Sequence, residues 1–515
     1  MVRIASVLLI SLLSLHFVFV LTLVPQVSWL AVLLFILAMA IVALQQFGFL
    51  SNVFLLKNPL LRTIGLILLV SFATVVLETA NPAIPSRNNV AIVGANIITG
   101  QADTEVIADA TVLIASSGSI VNVGKAQDIA IPEGYRVIDA SGRFLMPGLI
   151  NAHSHLWRDA GDPDLPFDPA SFAPPGIAHD ISVYMAGIYI GQRVIASRIE
   201  QNAQKALYTG VTTAREIGNI AFLDVAFRDR VTRNERIGPN MLVAGKILAT
   251  TGGHSAEVGL VFDGPVEARR AVRKALRNRV DLIKITGTGG ISDSRRLGEA
   301  GELQMTPDEL QAIVDEAHRR NFLVAVHAES TQGVREALQA GADNIEHGAA
   351  LDEDMIALFK DNPRALRGFT SLHPTLSIFG GSVEWTDEAR TNPALTVIGR
   401  NFEMVAQSLI TGFKQAVDND ILVGLGTDAG FASHEMVWKE LKYFVKYAGV
   451  TTSQAIHMGT LATAKSIGID EVTGSIEPGK RADLLVLEGD PRQDLSVIGK
   501  PLIVSVNGII HNLRQ

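Results

Sequence analysis

The chain has 515 residues, with 44 Lys and Arg against 52 Asp and Glu, 12 His, no Cys and a formal net charge of −8. That length exceeds one ordinary domain but suits an α/β barrel with additions. The acidic balance offers no basic stripe to neutralise phosphates, which excludes a nucleic-acid partner. The lack of Cys removes thiolate metal sites and leaves His, carboxylate and modified Lys as ligands.

In chain order the first elements are apolar stretches at about 4–24, 27–45 and 60–78. The first two reach the roughly 20 residues needed to cross a bilayer, and the third comes close. A cleaved signal peptide accounts for the first alone. The expectation is a membrane region over 1–80 with three transmembrane helices. Arg3 precedes the first stretch, VPQVS after it is uncharged, and Lys57 and Arg62 lie between the second and third. Basic residues favour the cytoplasmic side, so three crossings put the rest of the chain outside the cytoplasm, periplasmic or extracellular. Without the third crossing the side reverses. A Pro-containing linker follows over 81–88.

From Asn89 the runs are short and β-rich: VAIVGANIITG, ATVLIASSGSIVNVG and YRVIDASGRFLMPG, punctuated by Gly, Asn and Asp as hairpins are. The pattern returns in GSIEPGKRADLLVLEGD and PLIVSVNGII, which predicts a composite β-sandwich built from 89–145 and 466–515. Between them strands alternate with helical stretches, as in TPDELQAIVDEAHRR before FLVAVHA and STQGVREALQAG before DNIEHG. Alternation of this kind argues for βα units on a parallel sheet, here a (β/α)8 TIM barrel over 146–465. Thr306, Pro307 and Glu309 have the spacing of a capped helix start.

The residues with chemistry arrive in the order such a barrel presents them. They are His153 and His155 in PGLINAHSH, Lys284 in DLIKITGTGG, His327 in FLVAVHAES, His347 in NIEHG and Asp428 in ILVGLGTDAG. Each closes or just follows an apolar run, which puts it at the C-terminal end of a strand, where barrel enzymes gather their catalytic groups. A lone His there is more often packed core than ligand, and HxH alone is a weak signal; the ordered set is not. Residues i and i+2 of a strand share a face, so His153 and His155 reach one cation, and neutral imidazole suits Zn²⁺, Mn²⁺ or Co²⁺. A charged Lys284 would be costly in a barrel mouth and would repel metals, which favours its neutral or a modified form. His254 in ATTGGHSAEVG and His434 in the loop after the last strand are candidate substrate contacts. Arg295 and Arg296 are candidates for a bidentate grip on a substrate α-carboxylate. His318, inside an amphipathic helix, reads as structural.

MPGLINAHSH, GVTTAREIG, DLIKITGTGG, VAVHAES, IEHG and GTDAG, followed by GSIEPGKRADLLVL, together resemble the amidohydrolase superfamily. Within it, they are similar to the imidazolonepropionase-like and prolidase-like group of Xaa-Pro or Xaa-Arg/Lys dipeptidase type. The resemblance covers about residues 89–513. It implies two divalent ions, zinc being the expected metal, and a CO2-derived carbamate on Lys284 that bridges them. His153, His155 and Asp428 would hold the first ion, and His327 and His347 the second. A metal-bridging hydroxide would attack the carbonyl, and Asp428 would carry its proton to the leaving amine. Two departures are small: Asn151 stands where Asp is common, and Glu216 replaces a frequent Asp in TTxRD.

The function implied is a membrane-anchored, metal-dependent amidohydrolase that cleaves the C–N bond of a dipeptide or N-acyl amino acid. Two alternatives stay open. A one-metal relative would open a cyclic amide, as an imidazolonepropionase does, or deaminate a ring, using His153, His155, His327 and Asp428. A non-catalytic membrane sensor would show a degraded ligand set. The partners expected are a small-molecule or dipeptide substrate and the membrane; the sequence leaves a homo-oligomer open.

Overall fold

The computed structural model describes residues 85–513, apart from 103–104, 380–385 and most of 159–186. The first β-rich runs pair as their alternation demands. Val90–Ile97 lies antiparallel to Ile107–Ile114, which pairs with Ile120–Lys125. Phe144–Pro147 lies beside Val90–Ile97 and also pairs antiparallel with Leu484–Leu487. That pairing brings the last strands, Ile503–Val506 and Ile509–Asn512, into the same eight-stranded sheet. Its apolar side buries Val90, Ile92, Ile97, Val112, Ile114, Leu145, Leu484 and Val486.

The middle of the chain closes into a barrel. Leu149–Ser154, Val211–Glu216 and Asn240–Val243 are parallel neighbours. Ile283–Thr286, Val324–Ala328, Asn344–His347 and Ser371–His373 form a second parallel run. The Asp281 amide donates to the Val243 carbonyl (2.7 Å) and joins the two runs. The extended segment 421–429 closes the ring through parallel bridges Leu372↔Val423 and Ser154↔Ala429. Every residue of Leu149–Ser154, Val211–Glu216, Ile283–Thr286, Val324–Ala328 and Asn344–His347 is buried. Burial on both faces is what parallel strands wrapped by helices require.

The helices begin and end where local chemistry says they should. Pro307–His318 opens on a capping box, with Thr306 and Glu309 satisfying each other's amides. Thr331–Ala340 is capped by Ser330 and stops at Gly341, whose φ of +96° few other residues adopt.

The membrane part of the expected fold is corrected. Among the described residues no helix is long and apolar enough to cross a membrane. The helices of sufficient length, Tyr189–Tyr208 and Pro393–Asp418, carry charges such as Arg193, Arg198, Glu200 and Lys205 in the first and Arg400, Glu403 and Lys414 in the second. The stretches 4–24, 27–45 and 60–78 lie outside the described residues. Apolar length and lack of charge, the basis of the expectation, are properties that buried core helices share, so they do not establish a span. The extracytoplasmic placement depended on those crossings and falls with them.

Candidate metal centre

The ends of the barrel strands bring two groups of ligand-type side chains together. His153, His155 and Asp428 form one, with donor atoms within 4.8 Å of one another. Asp428 Oδ1 lies 3.4 Å from His153 Nε2 and 3.2 Å from His155 Nε2. His327, Glu329 and His347 form the other, within the same limit of 4.8 Å. The groups adjoin: the rings of His153 and His347 have centroids 5.0 Å apart, and those of His327 and His347 4.6 Å.

Each imidazole is held from behind. His155 Nδ1–H donates to the Gly218 carbonyl (2.9 Å), leaving the Nε2 lone pair toward Asp428. His153 Nδ1–H donates to Glu346 Oε2 (2.8 Å), with the same consequence. His347 Nδ1 meets Thr375 Oγ1 at 2.8 Å. His327 uses the other nitrogen: Nε2–H donates to the Gly289 carbonyl (3.3 Å), which leaves the lone pair on Nδ1. Burial, then neighbouring imidazoles and Lys284, keeps His327 and His347 well below the usual histidine range, so both are neutral at pH 7.

Beneath these rings lies a buried ionic network. Glu346, fully buried, accepts from Arg215 Nη2 (2.5 Å) through Oε1 while holding His153 through Oε2, and His373 Nδ1 lies 3.0 Å from Arg215 Nη2 and 3.2 Å from Glu346 Oε1. Arg215 also reaches the Ala152 carbonyl and Asn344 Oδ1, both at 2.6 Å. Burial alone would raise the Glu346 carboxyl, but Arg215 and His373 overcome it and hold it well below the carboxylate range.

Two buried polar atoms in this setting, Lys284 Nζ and Asp428 Oδ1, have no hydrogen-bond partner among the described residues. Burial lowers the Lys284 ammonium to about 8. Lys284 interacts electrostatically with Asp428 of one group and with His327 and His347 of the other. Neutral imidazoles, a carboxylate and an unpartnered amine, all buried, make the donor set that divalent cations satisfy.

The remaining sequence candidates divide. His254 stacks on His327, with ring centroids 4.7 Å apart, and so belongs to the site. His434 is buried, with its Nε2–H on the Arg158 carbonyl (2.9 Å), and braces the loop after the Leu149–Ser154 strand. Arg295 and Arg296 are not brought in. Both are exposed, their amides bond Glu299 Oε2, and Arg296 pairs with Glu302. His318 bonds Asp343 (2.8 Å) away from the centre.

Sequence reasoning passed over Glu346, Arg215, His373, Thr375, Glu329 and Arg158. Glu346, Arg215 and Glu329 stood inside the quoted motifs IEHG, TTARE and VHAES, but only the closed barrel shows that they face the ligands. The two departures are accommodated. Asn151 bridges to Thr427 through its Nδ2 (2.9 Å) and Oδ1 (3.2 Å), tying the first strand to the Asp428 turn. Glu216 accepts from the Leu156 amide and from Asn219, both at 2.7 Å.

The amidohydrolase family model matches residues 144–510. The chain belongs to the amidohydrolase family. Ochratoxinase of Aspergillus niger is 26% identical over 422 residues, 76% of this chain and 80% of that protein. Among solved structures, a Bifidobacterium longum protein assigned as a prolidase is 34% identical, with a TM-score of 0.70 over 83% of this chain and 95% of that one. A Xaa-Pro dipeptidase with methionine in its active site is 27% identical, with a TM-score of 0.69 over 82% of this chain and 100% of that one. The chain is therefore a hydrolase of carbon–nitrogen bonds from a metal-dependent family.

Proposed function

We propose that this amidohydrolase cleaves the amide of a dipeptide or N-acyl amino acid, using two divalent cations, with zinc as the metal. His153, His155 and Asp428 hold the first and His327 and His347 the second. The observation that carries the reading is the buried, unpartnered Lys284 Nζ beside both donor groups. Its neutral amine would add to CO2, forming an N–C bond as one C=O π bond opens and the nitrogen loses one proton, and the resulting carbamate would supply a negative charge toward the cations. When bound, the cations lower the pKa of water and polarise the scissile carbonyl. Asp428 accepts the proton released on attack and returns it to the amine nitrogen as the C–N bond breaks.

Substrate recognition falls to Arg158 rather than to Arg295 or Arg296. Its guanidinium lies 4.0 Å above the Phe431 ring, and Phe431 packs edge-on against His155 at 5.9 Å. No carboxylate hydrogen-bonds it among the described residues, and it interacts electrostatically with Asp428. A planar cation held over an aromatic face beside the metal ligands suits a substrate α-carboxylate.

The test is product analysis with a panel of dipeptides and N-acyl amino acids, in the presence of Zn²⁺ and bicarbonate. Free amino acids are expected, and K284A should lose the second cation and most turnover. R158M should raise KM for free acids and leave C-terminal amides unaffected. No release from metal-loaded protein overturns the substrate reading. Full activity with both cations in K284A overturns the carbamate, and a single cation indifferent to K284A points to cyclic-amide opening or ring deamination.

A further inference from the structure

The loop after Ser371–His373 contains a residue whose backbone is out of character. Thr375 is buried and has a φ of +53°. A β-branched side chain is strained in the left-handed region and persists there only when its surroundings impose it. The same residue supplies the hydroxyl that meets His347 Nδ1 at 2.8 Å. His347 itself has a φ of +68°, so both partners of this hydrogen bond sit on strained backbone.

What imposes the conformation is a carboxylate from another element. Glu440, on the helix Lys439–Ala448, accepts the Leu376 amide through Oε1 (2.7 Å) and the Ser377 amide through Oε2 (2.6 Å). The Ser377 hydroxyl adds a third bond to Oε2 at 2.5 Å. These are the two amides that immediately follow Thr375. Glu440 is fully buried and forms no ion pair among the described residues. A buried carboxylate without a counter-cation is costly. Its three hydrogen bonds all go to one short segment, and that segment wraps His347: Thr375 holds the ring nitrogen, and Phe379 packs edge-on to the ring at 5.8 Å.

We propose that Glu440 is a positioning residue, which clamps the backbone after Thr375 so that the Thr375 hydroxyl fixes the ring orientation and tautomer of His347. The Thr375 hydroxyl accepts a hydrogen bond from His347 Nδ1–H, and His347 then presents its Nε2 lone pair to the centre. The inference rests on the reading of His347 as a ligand of the second cation. Glu440 touches no ligand and no substrate; it acts through Thr375 alone.

The test measures metal binding by the 515-residue chain, with Zn²⁺ affinity taken from chelator competition and coordination geometry from the d–d spectrum of the Co²⁺-loaded protein. E440Q keeps the shape but sets an NH2 group against the Ser377 donors; T375V keeps the volume but removes the hydroxyl. Each should weaken the second equivalent by about 10- to 100-fold, the range for losing a group that orients a ligand, and leave the first unchanged. The double variant should be no weaker than T375V, because both changes cut one chain of contacts. T375S, which keeps the hydroxyl, should restore the second equivalent.

An unchanged second equivalent and unchanged Co²⁺ spectrum in E440Q, with T375V weakened, overturns the clamp. Additive losses in the double variant also overturn it. If E440Q does not fold, E440D, which retains the carboxyl group and shortens the reach, must show the same selective loss for the clamp to stand. Failure of the underlying reading has a different signature: H347A would then bind both equivalents as tightly as the parent chain.

Discussion

His153 shows how much of this centre is made by residues that never meet a substrate. Its outward nitrogen faces Asp428, and its inward one is bonded to Glu346, whose charge is balanced by Arg215 at 2.5 Å. Both members of that ion pair are buried, so neither can fall back on water if the other is lost. E346Q should therefore destabilise the fold by about 3–5 kcal/mol, the usual penalty for stranding a buried charge, and R215M/E346Q should recover part of the loss. Urea unfolding checks this through the midpoint, with the slope unchanged. Equal stability of E346Q and the parent chain would count against the network. The ligand-type residues were legible because they punctuate apolar runs in barrel order. Glu346 and Arg215 were not, because a charged residue inside a strand looks like any solvated position until the barrel closes over it. Arg295 and Arg296 misled for the opposite reason: adjacency to a strand end says nothing of which way a loop turns, and theirs turns to solvent with Glu299 and Glu302.

At the scale of elements, the alternation of strand and helix was readable from local signals such as the Thr306 capping box. Closure was harder to read, because 421–429 pairs through isolated bridges. Packing between elements left no mark in the pattern. The helix Pro393–Asp418 carries Gly412 in its interior, where a Cβ would meet the Ala349 carbonyl oxygen at 1.9 Å. Ala349 lies two residues after His347, so the helix rests directly on the loop that carries this imidazole. Propensity alone would make G412A stabilising by about 1 kcal/mol. The contact is with backbone, which cannot swing aside, so the sign should reverse to a loss of about 1–3 kcal/mol. G412A should also weaken the second metal equivalent, which chelator competition measures. A G412A protein more stable than its parent would show that this helix and loop are not in contact as described.

Over the whole molecule, hydropathy was the least reliable guide. It gave weight to three stretches by length and lack of charge, whereas the described long helices carry charges along their length. The buried acids are more informative, because they set how the fold responds to pH. Burial pushes Glu440 up to about 8 from 4.5, against three hydrogen bonds, and Asp224 up to about 6 from 3.8. Both shifts are upward, so the folded state holds protons that the unfolded chain has already released. Their contribution is fully present below the unfolded values and is lost as pH rises through the folded ones: from 3.8 to about 6 for Asp224, and from 4.5 to about 8 for Glu440. These two groups make stability fall with rising pH, by up to about 1.4 kcal/mol per pH unit each. His327, His347 and His373, held low by burial, instead make it rise toward pH 6.5, so the net fall belongs between about pH 6.5 and pH 8. Glu346, held low, acts in the opposite sense but only below the ordinary carboxylate range. Cations would add a pH dependence of their own through the imidazoles, so the comparison belongs to chelator-treated protein. There, E440Q should flatten the fall in the upper part of the curve, up to about pH 8, and D224N should steepen the rise in the lower part, because each removes one group whose pKa is raised. Denaturant unfolding at half-unit pH steps gives the three curves. Parallel curves for the parent and E440Q would mean that Glu440 is ionised in the folded protein throughout this range.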